Sequence, residues 1–188
     1  SVVMSTQAAN VVEHLFKIPA ERIKILPYGV GSFPKIDRAE AKTLGGFGQH
    51  SVVLSFGLLK PANNLEKVLE AIAILINKMP HLLFVHVGLT NQADSQRSGE
   101  AYRQKLLLLA RHLKIEKNVV FINRHVTDRR LFDYLQSADL VVLGNTDEST
   151  LQSATLPMAM SAGAAILTSP FLHANELLGD KLGEITPF

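Results

Sequence analysis

The sequence predicts an α/β protein with a doubly wound parallel sheet of about six strands and helices on both faces. Three observations carry the prediction. Short apolar runs rich in Val, Ile, Leu and Phe alternate with longer segments of helical period, the pattern of successive βαβ units. Each run ends in a glycine or a polar residue, at Gly57, Gly88, Asn123, Gly144 and Thr168, and in such sheets those ends face one ligand crevice. Hydrophobic residues make up 47% of the chain and charged residues 19%, which suits one packed domain over 1–188 and not a disordered chain.

The elements follow in order. Val2–Met4 reads as the end of a strand and Thr6–Phe16 as a helix, which Pro19 terminates. Ile23–Leu26 is the next strand, and the glycine- and proline-rich stretch from Pro27 to Pro34 is irregular. A short helix runs from Asp37 to Leu44, and Gly45–Gly48 turns the chain into the strand Val52–Phe56. Asn64–Met79 is helical, with Leu65, Val68, Leu69, Ile72, Leu75, Ile76 and Met79 on one face, and Asn63 with Glu66 suggests a capping box. Leu82–Val87 is a buried strand, Asn91–Ser98 a polar loop, and a helix runs from Gly99 to about Leu113. Val119–Ile122, Asp128–Ser137 and Leu140–Leu143 continue as strand, helix and strand. The four leucines Leu106–Leu109 read as a buried helical flank, with a protein-binding patch as the alternative for any exposed portion.

Composition excludes several functions. With no cysteine, disulfides and thiolate metal sites are ruled out. The seven histidines are dispersed, with none at a His-x-x-x-His spacing, so no metal site is expected, and His86 reads as a packed or edge histidine inside a strand. Nineteen basic against seventeen acidic residues leave a net charge of +2 without a basic stripe or interleaved aromatics, which argues against nucleic acid. No apolar run reaches the roughly 18 residues of a transmembrane helix. The opening Ser1–Ser5 has no basic leader, and its lack of Met suggests a processed or excised chain. A cytoplasmic location is expected, with a membrane-peripheral full-length protein as the variant.

Ser153–Thr168 is the most informative stretch. It reads as a helix emerging from a polar loop, a stop at Gly163 and an apolar strand, which aims free N–H groups at the crevice. Gly29-Val30-Gly31 lacks the third glycine and the following helix of a dinucleotide fingerprint. Neither a Gly-x-Ser-x-Gly elbow nor a P-loop lysine motif occurs.

Ordered segments carry a resemblance. They are Ile25-Leu26-Pro27-Tyr28-Gly29-Val30, Phe56-Gly57-Leu58-Leu59, Val87-Gly88, Val119-Val120-Phe121, Tyr134 through Val142, Ser153 through Phe171, and His173 through Leu178. In order and spacing the chain resembles the C-terminal, nucleotide-sugar-binding domain of group 1 glycosyltransferases of the GT-B fold. The resemblance implies a Rossmann-like sheet, a nucleotide-diphosphate sugar as donor substrate, no cofactor and no bound metal. It also implies transfer with retention and a preceding acceptor-binding domain, of which residues 1–5 would be the tail or linker. A GT-B epimerase or phosphorylase half is the weaker relative of this reading.

The same resemblance implies a site. Gly57, Lys60 and Asn63 on one loop, and Thr150, Gln152, Ser153, Ala154 and Thr155 on another, would face the diphosphate. Gly88 and Arg124 would lie toward the nucleotide. The plainer roles are capping by Asn63 or Asn64 and by Ser153 or Thr155, an exposed loop for Arg124 and His125, and solvated carboxylates for Asp147 and Glu148. Glu176 reads as a capping or surface residue. The chain departs from the family at four places: Leu58 and Asn63 stand for its Arg and Lys, and Thr150 and Met158 for its two glutamates. Pro157 also removes an amide donor early in the helix. These losses support an alternative, a non-catalytic binding or regulatory module.

Overall fold

A computed structural model describes residues 1–90, 99–179 and 182–186. The elements are β1 (Val2–Val3), α1 (Thr6–Phe16), β2 (Lys24–Ile25), α2 (Arg38–Gly45), β3 (Ser51–Phe56), α3 (Leu65–Leu75) and β4 (Leu82–Val87). They continue with α4 (Gly99–His112), β5 (Val119–Ile122), α5 (Asp128–Ser137), β6 (Leu140–Leu143), α6 (Thr155–Ser161), β7 (Ile166–Thr168), α7 (Leu172–Leu178) and β8 (Glu184–Ile185). Six strands form one sheet in the order β5-β4-β3-β6-β7-β8, and every pairing in it is parallel.

That order fixes where the helices lie, because parallel crossovers are right-handed. The chain moves one way from β3 to β5, with α3 and α4 packing Leu65, Leu69, Ile72, Tyr102 and Leu106 over Val53 and Phe84. It then returns past β3 to β6 and moves the other way. On the opposite face Phe132, Leu135, Leu156, Ala159, Phe171 and Leu178 pack over Val52, Leu54, Val85 and Val141. On the α3 side, Leu140 and Val142 of β6 are only partly buried against the cluster under α3 and α4. An apolar groove of about 540 Å³ runs there, lined by Val68, Ile72, Leu140, Val142 and Leu167. Leu106 is buried while Leu108 is 62% exposed, so only part of the four-leucine run joins the core.

The sheet differs from the expectation at both ends of the chain. β1 and β2 do not enter it; they pair with each other as a separate two-stranded parallel ladder. β8, which has only two residues and carries Glu184, takes the edge. α1 has Ser5 as its N-cap, with Ser5 Oγ accepting from Ala8 N–H at 3.1 Å, and it buries none of its residues. Glu176 caps that helix from a distance: its carboxylate accepts from Thr6 and Gln7 N–H at 2.7 and 3.1 Å.

α3 starts at Leu65, and Asn64 precedes it in a left-handed conformation (φ 50°) without a side-chain cap. The capping box expected from Asn63 and Glu66 is therefore absent. Asn63 Oδ1 instead accepts from Lys60 N–H at 2.8 Å, while Glu66 accepts from Tyr102 Oη at 2.6 Å and Lys105 Nζ at 2.9 Å. Tyr102 reaches both Glu66 and Leu65 N–H, so a neighbouring helix replaces the local cap. The expected loop 91–98 lies outside the described residues.

Asp139 ties the central strands β3 and β6 together where β6 begins. Its Oδ2 accepts from Lys42 Nζ and from Val52 N–H, both at 2.7 Å. Burial works against its charge, yet these donors and Arg38 hold the carboxyl below its ordinary range.

Candidate functional site

Strand order creates the site. Crossovers leave β3 and β6 in opposite directions, so the loops beyond their C-terminal ends part and leave a crevice. A cavity of about 400 Å³ occupies it. Two glycines let the loops approach this closely. A Cβ on Gly144 would lie 2.2 Å from Asn63 O, and one on Gly88, whose φ is +154°, would lie 1.9 Å from Gly57 O.

The structure brings Gly57, Lys60, Asn63, Thr150, Gln152, Ser153, Ala154 and Thr155 together around that cavity. Gly57 and Thr155 face each other closely: a Cβ on Gly57 would meet Thr155 Cγ2 at 3.4 Å. Thr146 N–H donates to Ala62 O at 3.1 Å and joins the two rims. Gly88 and Arg124 do not line the cavity. Gly88 lies one strand away, against the Gly57 backbone, and Arg124 is exposed beyond β5 with its N–H donating to Ile122 O. Beside Arg124, Asn123 Oδ1 accepts from Thr90 N–H at 3.0 Å.

The rim from Asn145 to Ser153 is internally braced. Asn145 Nδ2 donates to Thr150 Oγ1 at 2.8 Å, and Asn145 Oδ1 accepts from Asp147 N–H at 3.1 Å. Asp147 Oδ1 accepts from Ser149 Oγ at 2.6 Å and from Ser149 N–H at 3.0 Å. These bonds, with a smaller contribution from Lys60, hold the Asp147 carboxyl below its usual range. Among the described residues Lys60 and Asp147 are the only charged ones lining the cavity, so that wall is formally neutral. Asn145 escaped the sequence reading of the site, and Asp147, read there as a solvated carboxylate, lines the cavity; an Asn-x-Asp pattern after an apolar run is the turn signal that points to both.

The helix at this rim differs from the expectation. α6 has only seven residues and begins at Thr155, with Ala154 before it and no side-chain cap. Ser153 Oγ pairs with Thr155 Oγ1 at 2.8 Å and reaches Leu156 N–H at 3.4 Å. Among the described residues the N–H groups of Ala154 and Thr155 donate to nothing within the chain. Met158 packs against the core and does not line the cavity, whereas Leu58 sits on its rim, 54% exposed.

Beneath the floor, Ser55 Oγ meets His86 Nδ1 at 3.1 Å, and His86 is buried as the sequence suggests. Burial pushes its pKa down to about 4, and among the described residues its Nε2 has no partner. No cluster of three His, Asp or Glu residues able to hold a metal forms among the described residues. No described helix is long and apolar enough to cross a membrane.

Fold and site define a class: a Rossmann-like α/β domain with a polar crevice at its topological switch point. The particular family follows from its sequence profile. Glycosyl transferases group 1 match residues 37–185, and the chain belongs to that family.

Solved structures show the same fold. HepE of Anabaena in complex with UDP and glucose is 20% identical with a TM-score of 0.77, over 99% of this chain and 48% of its own. WaaG, a glycosyltransferase involved in lipopolysaccharide biosynthesis, is 20% identical with a TM-score of 0.75, over 99% and 48%. The C-terminal domain of the group 1 protein LpcC from Francisella tularensis is 17% identical with a TM-score of 0.68, over 85% and 80%. The chain thus spans about half the length of HepE and WaaG. No curated protein matches the sequence.

Proposed function

We propose that this chain is the donor-binding domain of a retaining GT-B glycosyltransferase that takes a nucleotide-diphosphate sugar without a bound metal. One observation carries the reading: two loops far apart in sequence place Lys60, Asn63, Thr150, Gln152, Ser153 and Thr155 around one polar cavity at the switch point. Lys60 and the undonated N–H groups of Ala154 and Thr155 stabilise the diphosphate as it leaves. The hydroxyls of Ser153 and Thr155 and the Gln152 amide take the remaining oxygens, and the base extends out of the cavity toward Gly88 and Arg124. HepE complexes with UDP and with UDP-glucose support this class of ligand.

The acceptor side belongs to a second domain, and residues near the N-terminus lead to it. Leu15, Phe16, Val2 and Leu26 are all more than 60% exposed, and the β1–β2 ladder is too small to stand alone. Transfer takes place in the cleft between the two domains, on the cytoplasmic side.

The test is calorimetric titration of the chain with UDP and UDP-glucose. Binding is expected, with Lys60→Ala weakening it about tenfold, the lower range for one charge-assisted contact at an exposed site. No binding at millimolar ligand overturns the reading. A second reading, a binding module without transfer activity, draws on one specific observation: Met158, at a glutamate position of the family, is partly buried against the core and does not line the cavity. Binding of UDP-glucose without turnover in the full two-domain protein would favour it.

A further inference from the structure

We propose that His173 is a positioning residue for the cavity: as a neutral, Nδ1-accepting imidazole it holds the 148–153 rim in its ligand-ready shape, and acid releases it. The first turn of α7 grips that rim at three points. Leu172 N–H donates to Glu148 O at 3.0 Å and His173 N–H to Thr150 O at 3.1 Å. The third bond uses the side chain, with Ser153 N–H donating to His173 Nδ1 at 2.8 Å. Thr150 and Ser153 both line the cavity, so the rim's polar groups stand where α7 holds them.

The chemistry of this third bond is conditional. An imidazole nitrogen accepts only when it carries no proton, so the Ser153 bond sets the tautomer with hydrogen on Nε2. Protonation would turn Nδ1 into a donor facing another donor inside a site where His173 is 2% exposed. Burial favours the neutral ring and lowers its pKa, while Glu176 one turn along α7 works the other way. The surrounding elements carry Asp147 and Glu148 on the rim, Glu13 and His14 on α1 and Glu184 on β8, but among the described residues only Glu176 is felt at the ring. Glu176 is occupied by the N-terminus of α1, and Ser5 Oγ donates to Leu151 O at 2.7 Å, so the rim is braced against α1 as well.

This inference rests on reading the cavity as a ligand pocket, and its test separates the two. The full chain is followed without ligand by the imidazole ¹⁵N shifts of His173 and by hydrogen exchange at Ser153, corrected for intrinsic rates, between about pH 5 and 8. His173→Asn keeps an acceptor that does not titrate; His173→Leu removes it. Expected are an unprotonated Nδ1 at neutral pH and Ser153 protection that falls at least about tenfold on acidification in the wild type. His173→Asn should hold its protection across the range, and His173→Leu should lack it throughout. If His173→Leu does not fold, the contrast between wild type and His173→Asn decides alone. Equal pH profiles for those two, or a protonated Nδ1 at neutral pH, overturn the proposal. UDP affinity should follow the same pattern. If Ser153 behaves as stated while UDP binds at no pH, the pocket reading fails and the positioning role stands.

Discussion

Gly144→Ala places a methyl group where the end of β6 meets the start of α3. The new carbon would stand 2.2 Å from Asn63 O. Carbon and oxygen normally approach to about 3.3–3.6 Å, so one backbone must retreat by about 1 Å. Neither atom belongs to a flexible side-chain tip, and the contact therefore cannot be relieved by a rotamer change. Overpacking of this kind costs about 1–3 kcal/mol, or roughly 2–12 °C in Tm for a domain of this size. The displacement also reaches the cavity, because Asn63 lines it and its Oδ1 holds Lys60 N–H at 2.8 Å. UDP affinity should fall about tenfold to a hundredfold, the usual effect of a 1 Å misplacement in a preorganised site. Thermal unfolding and calorimetry read the two effects, with Gly29→Ala as control because a Cβ there meets nothing within 4 Å. A Gly144→Ala protein as stable as the control, binding UDP like the wild type, would refute the account of how these loops are brought together.

Two other predictions concern charge. His86 has its pKa pushed down to about 4 from an ordinary 6.5 by burial. Below pH 6.5 the unfolded chain takes up a proton that the native ring refuses until about pH 4, so stability is full above that window and falls within it. The loss is about 2–4 kcal/mol, and His86→Asn should flatten the slope of Tm against pH; an unchanged slope would count against it. Asp147→Asn removes the only anion lining the cavity among the described residues while an amide oxygen still accepts from Ser149. UDP should bind about threefold to tenfold more tightly, more so at low salt, and unchanged affinity would show that Asp147 does not oppose the diphosphate.

Much of the architecture could be read before any coordinates. The runs Val52–Phe56, Leu82–Val87, Val119–Ile122 and Leu140–Leu143 are long and apolar enough to declare themselves, and the helices between them show a clear period. Glu184–Ile185 did not, since two residues with one charge carry no periodicity, and their strand exists because β7 offers an unpaired edge. The local cap expected from Asn63 and Glu66 gave way because Lys60 N–H takes the Asn63 side-chain oxygen and Tyr102, arriving from another helix, takes the Glu66 carboxylate.

The candidate site divides in the same manner. Chain order by itself determined that polar residues would follow apolar strands at Gly57, Gly144 and Thr168, because a strand must end where its side chains turn polar or its backbone turns. Only the tertiary structure decided that the loops at Lys60 and Ser153 meet, that Gly88 and Arg124 stand aside, and that β1 and β2 pair apart from the main sheet. It also decided that His173 faces Ser153 and that Met158, partly buried, packs against the core away from the cavity. Periodicity is a property of a few consecutive residues, while strand neighbours and loop contacts come from burying surfaces distant in sequence.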